Sequence, residues 1–188
     1  MRVIQLTVQQ TNAHNFAGYG SVVPYPLLDR TEAAYKPTFS GTGFSWYGRL
    51  LRERFEGDLS FGMVVPEASQ SFEQHIFERH QKTVELLVPL DGDVVLILGQ
   101  TGAIAQPLYP EHRDGTIDPL LEQRFGAFRV AAGQAVILGR GIWHYAPLAA
   151  QRTRVLTCYR EGTERDDVEA VDLAEVDVRV VAGNGTDS

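Results

Sequence analysis

Phe77-Glu78-Arg79-His80-Gln81-Lys82-Thr83-Val84-Glu85-Leu86-Leu87-Val88-Pro89-Leu90-Asp91-Gly92 is the stretch from which the rest of this chain can be read. Glu78 and His80 are two residues apart, so on a strand their side chains leave the same face. Glu85 comes five residues after His80 and cannot share that face on one straight strand. A turn or bulge at Gln81-Lys82-Thr83 would bring it round. Residues 84–90 and 94–98 are apolar runs joined through Asp91-Gly92, and Asp-Gly between two such runs is a strong hairpin signal.

A second polar segment lies some fifty residues beyond Glu85. Gly133 is followed by five residues, then Gly139-Arg140-Gly141, two more residues and His144. The two segments together resemble the paired motifs of the cupin superfamily. The first cupin motif is a His-x-His pair, four residues, a Glu, six residues and a Gly. The second is a Gly, five residues, a Pro-x-Gly, two residues and a His. Here Glu78 stands in the first histidine slot and Gly139 in the proline slot, and the other marked slots match. The resemblance implies an all-β cupin fold, a double-stranded β-helix or jelly-roll barrel with little helix, with Glu78, His80, Glu85 and His144 pointing into its mouth. Two imidazoles and one or two carboxylates suit a divalent ion such as Mn, Fe, Zn or Ni. Without an ion the same residues form an acid–base pocket. No organic cofactor is expected.

The remaining sequence agrees with a β protein. Ile4, Leu6 and Val8 alternate with Gln5, Thr7 and Gln9, the pattern of a half-buried strand. Residues 60–65, 128–130, 135–138 and 154–159 are further strand candidates, punctuated by glycines. Helical signal is confined to single turns at 31–35 and 118–124. Residues 24–44 and 99–123 read as long loops. A single domain over 1–181 and a disordered tail over 182–188 are expected for a chain of 188 residues.

Seventeen Lys and Arg against twenty-four Asp and Glu give a net charge of −7, which argues against a nucleic-acid partner bound through charge. No apolar run approaches the ~18 residues of a membrane span. The one cysteine, Cys158, sits in an apolar strand and reads as an inert buried thiol, which fits a cytoplasmic protein. Gly99-Gln100-Thr101-Gly102 lacks the lysine of a phosphate loop. His14, His75 and His112 read as surface residues, and Asp166-Asp167 with Glu161 and Glu164 as a solvated acidic turn.

A closer resemblance is to the ureidoglycolate lyase family. Glu78-Arg79-His80 with Glu85 and the apolar-Pro-apolar-x-Gly of residues 88–92 is similar to one of its motifs. Arg140-Gly141-Ile142-Trp143-His144 is similar to its Arg-x-x-Trp-His, and Phe16-Ala17-Gly18-Tyr19-Gly20 to its early Phe-x-x-Tyr-Gly. The resemblance implies a cytoplasmic, often dimeric enzyme that splits ureidoglycolate into glyoxylate and urea. A base takes the carbinolamine hydroxyl proton, the C–N bond breaks, and an acid protonates the departing nitrogen. His144 or Glu85 is then the candidate base, and His80 or Glu78 the partner acid or metal ligand. Arg140 or Lys82 would hold the substrate carboxylate, Arg through two parallel hydrogen bonds. Trp143 is either a packing residue or a wall of the substrate site. The family's His-His-Pro after the tryptophan is here His144-Tyr145-Ala146-Pro147. Two other readings keep the pocket: a metal-dependent cupin isomerase or dioxygenase, and a non-catalytic module binding a small acid or sugar. The run at 94–98, apolar on both faces, is expected either to pair two copies or to lie buried between sheets.

Overall fold

A computed structural model describes residues 2–24, 37–104 and 122–184. Two five-stranded sheets carry the fold. In chain order the strands are β1 (Arg2–Gln10), β2 (Gly20–Val22), β3 (Phe39–Gly41), β4 (Phe44–Trp46), β5 (Leu59–Val64), β6 (Phe72–Gln74), β7 (Ile76–Arg79), β8 (Glu85–Pro89), β9 (Val94–Gly99), β10 (Phe125–Val130), β11 (Val136–Leu138), β12 (Val155–Arg160), β13 (Glu169–Asp172) and β14 (Val178–Asn184). The first sheet has the order β6-β14-β1-β10-β9 and the second β2-β11-β8-β12-β5. One turn of helix, α1 (Thr163–Asp166), and short 3-10 turns are the only helical elements among the described residues. The protein is thus an all-β fold built on two five-stranded sheets, with little helix among the described residues.

The apolar alternation places the core. Leu87, Val136, Leu138 and Val155 of the second sheet meet Val94, Leu96, Leu98, Phe128 and Val130 of the first. On the other face of the first sheet, Ile4, Val95, Ile97, Phe125, Ala127 and Val180 pack under Phe77 of β7, Val171 of β13, Leu173 and Trp143. β9 is therefore buried on both faces, which is why its sequence shows no alternation and why it is no surface for a second copy. Exposed apolar side chains lie instead on the edge strand β5, where Leu59, Phe61 and Met63 alternate outward, and on the β3–β4 pair, where Phe39, Phe44 and Trp46 are exposed.

Three expectations change. Asp91-Gly92 does not close a hairpin: β8 pairs with β11 and β12, whereas β9 pairs with β10, so this turn hands the chain from one sheet to the other. Arg154 holds the turn through Asp91, at 2.6 and 2.7 Å. The expected tail is partly strand, because Ala182, Gly183 and Asn184 pair in parallel with Leu6, Thr7 and Val8. A parallel partner for the first strand supplied by the last has no local sequence signal. The turn at 118–124 is a 3-10 turn over Glu122–Arg124. The rest of that segment, residues 31–35, His112 and residues 185–188 lie outside the described residues.

The Phe16 to Gly20 motif is structural. Phe16 and Tyr19 stack edge-on against Phe128, with centroids 5.2 and 4.9 Å away. Gly20 lets β2 close on β11, since a Cβ there would lie 1.9 Å from the Ile137 carbonyl oxygen.

Candidate functional site

β7 carries Glu78 and leads directly into His80. It is paired on one side with β13, where Ala170 faces Glu78. On its other side the second motif docks: Glu78 N–H donates to the His144 carbonyl at 2.6 Å and His144 N–H returns to Glu78 at 2.8 Å. Gly141 N–H donates to the His80 carbonyl at 2.7 Å. Gly141 has φ +74°, which a glycine adopts without strain, and it turns the chain from Arg140 toward His144. Trp143 pairs with Gly99 at the end of β9 in both directions, at 2.8 Å. Main-chain bonds thus bring together two motifs about sixty residues apart.

The side chains converge. Both histidines are buried, and their ring centroids lie 5.1 Å apart. His144 Nδ1 bonds the Ile142 carbonyl at 2.9 Å and His80 Nδ1 the Asp167 carbonyl at 2.8 Å. A carbonyl oxygen only accepts, so each Nδ1 carries its hydrogen and each Nε2 is left for the site. Glu85, the first residue of β8, comes round through the bend at Gln81 and Lys82, as its spacing required. Its Oε2 lies 3.1 Å from His144 Nε2 and 3.9 Å from His80 Nε2. Burial pulls the His144 pKa down. The hydrogen bond to Glu85, the Glu85 charge, the Ile142 carbonyl and the Glu78 charge together outweigh it and set the value above the ordinary 6.5.

Glu78, His80 and His144 each offer a donor atom, and these atoms all lie within 4.8 Å of one another. Two nitrogens and an oxygen form a donor set for a borderline divalent cation. The carbonyl bond on each Nδ1 is the outer-shell support that metal-bound histidines use. The residues therefore fit an ion. Glu85 belongs to the tentative four-residue ligand set, but this tighter group of three does not include it.

A family model for ureidoglycolate lyase matches residues 3–180. The chain belongs to the ureidoglycolate lyase family. It is therefore an enzyme of a lyase family. No curated protein matches it. Among solved structures it is similar to an oxalate decarboxylase formate complex from Lactobacillus farciminis, at 11% identity over 63% of this chain, with a TM-score of 0.38. It is also similar to a dTDP sugar isomerase from Desulfovibrio desulfuricans G20, at 14% identity over 81% of this chain and 79% of that one, with a TM-score of 0.36. The chain spans only 28% of the decarboxylase's length.

The other candidates of this family member fall outside the cluster. Trp143 is fully buried in the core under Arg79, whose guanidinium carbon lies 4.5 Å from the ring centroid, a placement that matches its packing role. Arg79 is held there by Glu169 at 2.6 Å. Lys82 Nζ is taken by Asp166, at 2.7 Å to its carbonyl and 3.3 Å to its carboxylate. Arg140 reaches the Arg54 carbonyl at 3.4 Å and Glu56 at 3.7 Å, both long contacts. His75 pairs with Asp172 at 2.8 Å on the surface. Cys158 is buried, and burial pushes its thiol pKa up.

The acidic turn holds what the sequence missed. Asp166 faces solvent and pairs with Arg160 and Lys82. Asp167 turns inward, is buried, and supplies the carbonyl that holds His80. Neighbouring aspartates in a charged turn look alike in sequence, and only the chain's return past β7 separates them.

Proposed function

We propose that this protein is a carbon–nitrogen lyase that splits ureidoglycolate, a carbinolamine carrying a carboxylate, into glyoxylate and urea. The family match over residues 3–180 supports the substrate, and the part-buried His144–Glu85 pair facing His80 supports the chemistry. Glu85, 3.1 Å from His144 Nε2, raises the His144 pKa and so favours the imidazolium, which makes His144 Nε2–H the candidate acid for the departing urea nitrogen. His80 has its Nδ1–H on the Asp167 carbonyl and a more distant Glu85, so its Nε2 lone pair is the base for the carbinolamine hydroxyl. Proton removal at oxygen drives C=O formation, the C–N bond breaks, and the nitrogen takes the His144 proton. Arg140 is the candidate for the substrate carboxylate, because its contacts are loose enough to exchange.

The Glu78, His80 and His144 group favours a second reading. Those residues would hold a divalent ion, which would act as a Lewis acid on substrate oxygens, and Glu85 would remain for proton transfer. The test is glyoxylate release from ureidoglycolate with and without EDTA, against an enzyme-free blank. Release that survives EDTA supports the acid–base reading, release that EDTA abolishes supports the metal reading, and no release overturns the substrate assignment.

The cytoplasm fits a chain whose one cysteine is a free, buried thiol. For the expected pairing of two copies we propose the edge strand β5, since an antiparallel edge can pair with its own copy about a two-fold axis and cover Phe61. Light scattering of wild type against Phe61→Glu tests it, with a dimer and a monomer expected; a monomeric wild type overturns it.

A further inference from the structure

Asp167 is an acid 7% exposed in a turn whose other acids are solvated. Its Oδ1 accepts from the backbone N–H groups of Gln81 at 2.8 Å and Lys82 at 3.0 Å. Its Oδ2 accepts from Lys82 at 2.9 Å and Thr83 at 3.1 Å. Those three residues carry the chain from His80 round to Glu85, so their N–H groups lie between strands and have no ladder partner. Successive N–H groups converging on one anion form a stable concave cradle. The main-chain oxygen of the same aspartate accepts from His80 Nδ1 at 2.8 Å. One residue thus fixes both the bend that spaces His80 from Glu85 and the face that the His80 ring turns to the site.

We propose that Asp167 is the positioning residue for His80. Its carboxylate holds the 81–83 bend, and that clamp keeps its own carbonyl in register with the ring, so that Nδ1 bears the hydrogen and Nε2 meets the substrate. Without the carboxylate, the bend and the carbonyl move independently and the ring loses its fixed tautomer. His144 is untouched, because its carbonyl comes from Ile142 on its own segment. The consequence for turnover rests on the lyase reading above; the consequence for the His80 ring does not.

The experiment is nitrogen NMR of the histidine rings in chelator-treated protein, with kcat and KM for ureidoglycolate, for wild type, Asp167→Ala and Asp167→Asn. Wild-type His80 is expected to carry hydrogen on Nδ1. In Asp167→Ala the His80 signature becomes mixed while that of His144 stays, and kcat falls roughly 10–100-fold with KM little changed, the usual size for lost outer-shell support. Asp167→Asn keeps one acceptor oxygen and falls between; if the alanine variant does not fold, this variant and the wild-type spectrum carry the test. A wild-type His80 with hydrogen on Nε2 alone overturns the proposal. So does a folded variant with an unchanged His80 signature, or one whose signature changes while kcat does not. If wild type does not turn over ureidoglycolate, the lyase reading fails, and the variants' His80 spectra alone decide this inference.

Discussion

His80 and His144 face each other across one site but are held in different ways. His144 sits on a segment stitched to Glu78 on one side and, through Trp143, to Gly99 on the other, and its ring is anchored by a carbonyl two residues back. His80 ends a strand, and its ring is anchored by a carbonyl 87 residues away in the chain. One support is local and redundant; the other depends on the α1 turn arriving in place. The geometry around His144 should therefore survive changes elsewhere that shift His80.

The most direct way to break this comparison is to remove each ring. His80→Ala and His144→Ala should each lower glyoxylate release by about 10²–10⁴-fold, the range of a positioned acid or base, while circular dichroism still reports folded protein. Full activity in either variant would mean that the two rings do not share one chemistry.

The next test concerns the support of His144. Trp143→Ala empties a fully buried site and should cost about 3–5 kcal/mol in urea unfolding. Trp46→Ala removes a ring that is 57% exposed and should cost within about 0.5 kcal/mol. Equal costs would show that Trp143 does not anchor the second motif.

The same contrast explains what could be read in advance. The four converging residues were legible because each motif lies within one short segment, where spacing reports geometry: two residues put Glu78 and His80 on one face, and five put Glu85 beyond a bend. Trp143 beside His144 was ambiguous, since an indole packs in a core as readily as against a substrate. Asp167 reads as solvated in the sequence because nothing local distinguishes it from Asp166, which is exposed. The Asp91-Gly92 turn misled for the converse reason: local turn chemistry was present, but pairing partners come from distant strands, and β8 and β9 found theirs in different sheets.

A pH series sharpens the comparison further. In metal-free protein the folded pKa of His144 is raised above the unfolded value near 6.5. The imidazolium–Glu85 pair then contributes stability that is fully present below pH 6.5 and lost as pH rises through the folded value. The melting temperature in EDTA should fall over that window, and Glu85→Gln, which removes the carboxylate that raises the pKa, should flatten the fall. A flat wild-type profile would mean that the pair is not ionised in the folded state.

The smallest effect is expected at Lys82, which lies on the His80 bend and was a candidate for the substrate carboxylate. Its backbone N–H is clamped by Asp167, but its side chain is 54% exposed and paired with an equally exposed Asp166. Pairs of that kind contribute about 0–1 kcal/mol, because solvent screens the charges and two long side chains must be ordered. Lys82→Ala should thus leave stability within about 1 kcal/mol and KM for ureidoglycolate unchanged, whereas Asp167→Ala, which acts on the same bend through the backbone, changes kcat. A tenfold rise in KM for Lys82→Ala would instead return this ammonium group to the substrate site and make the bend a binding element as well as a spacer.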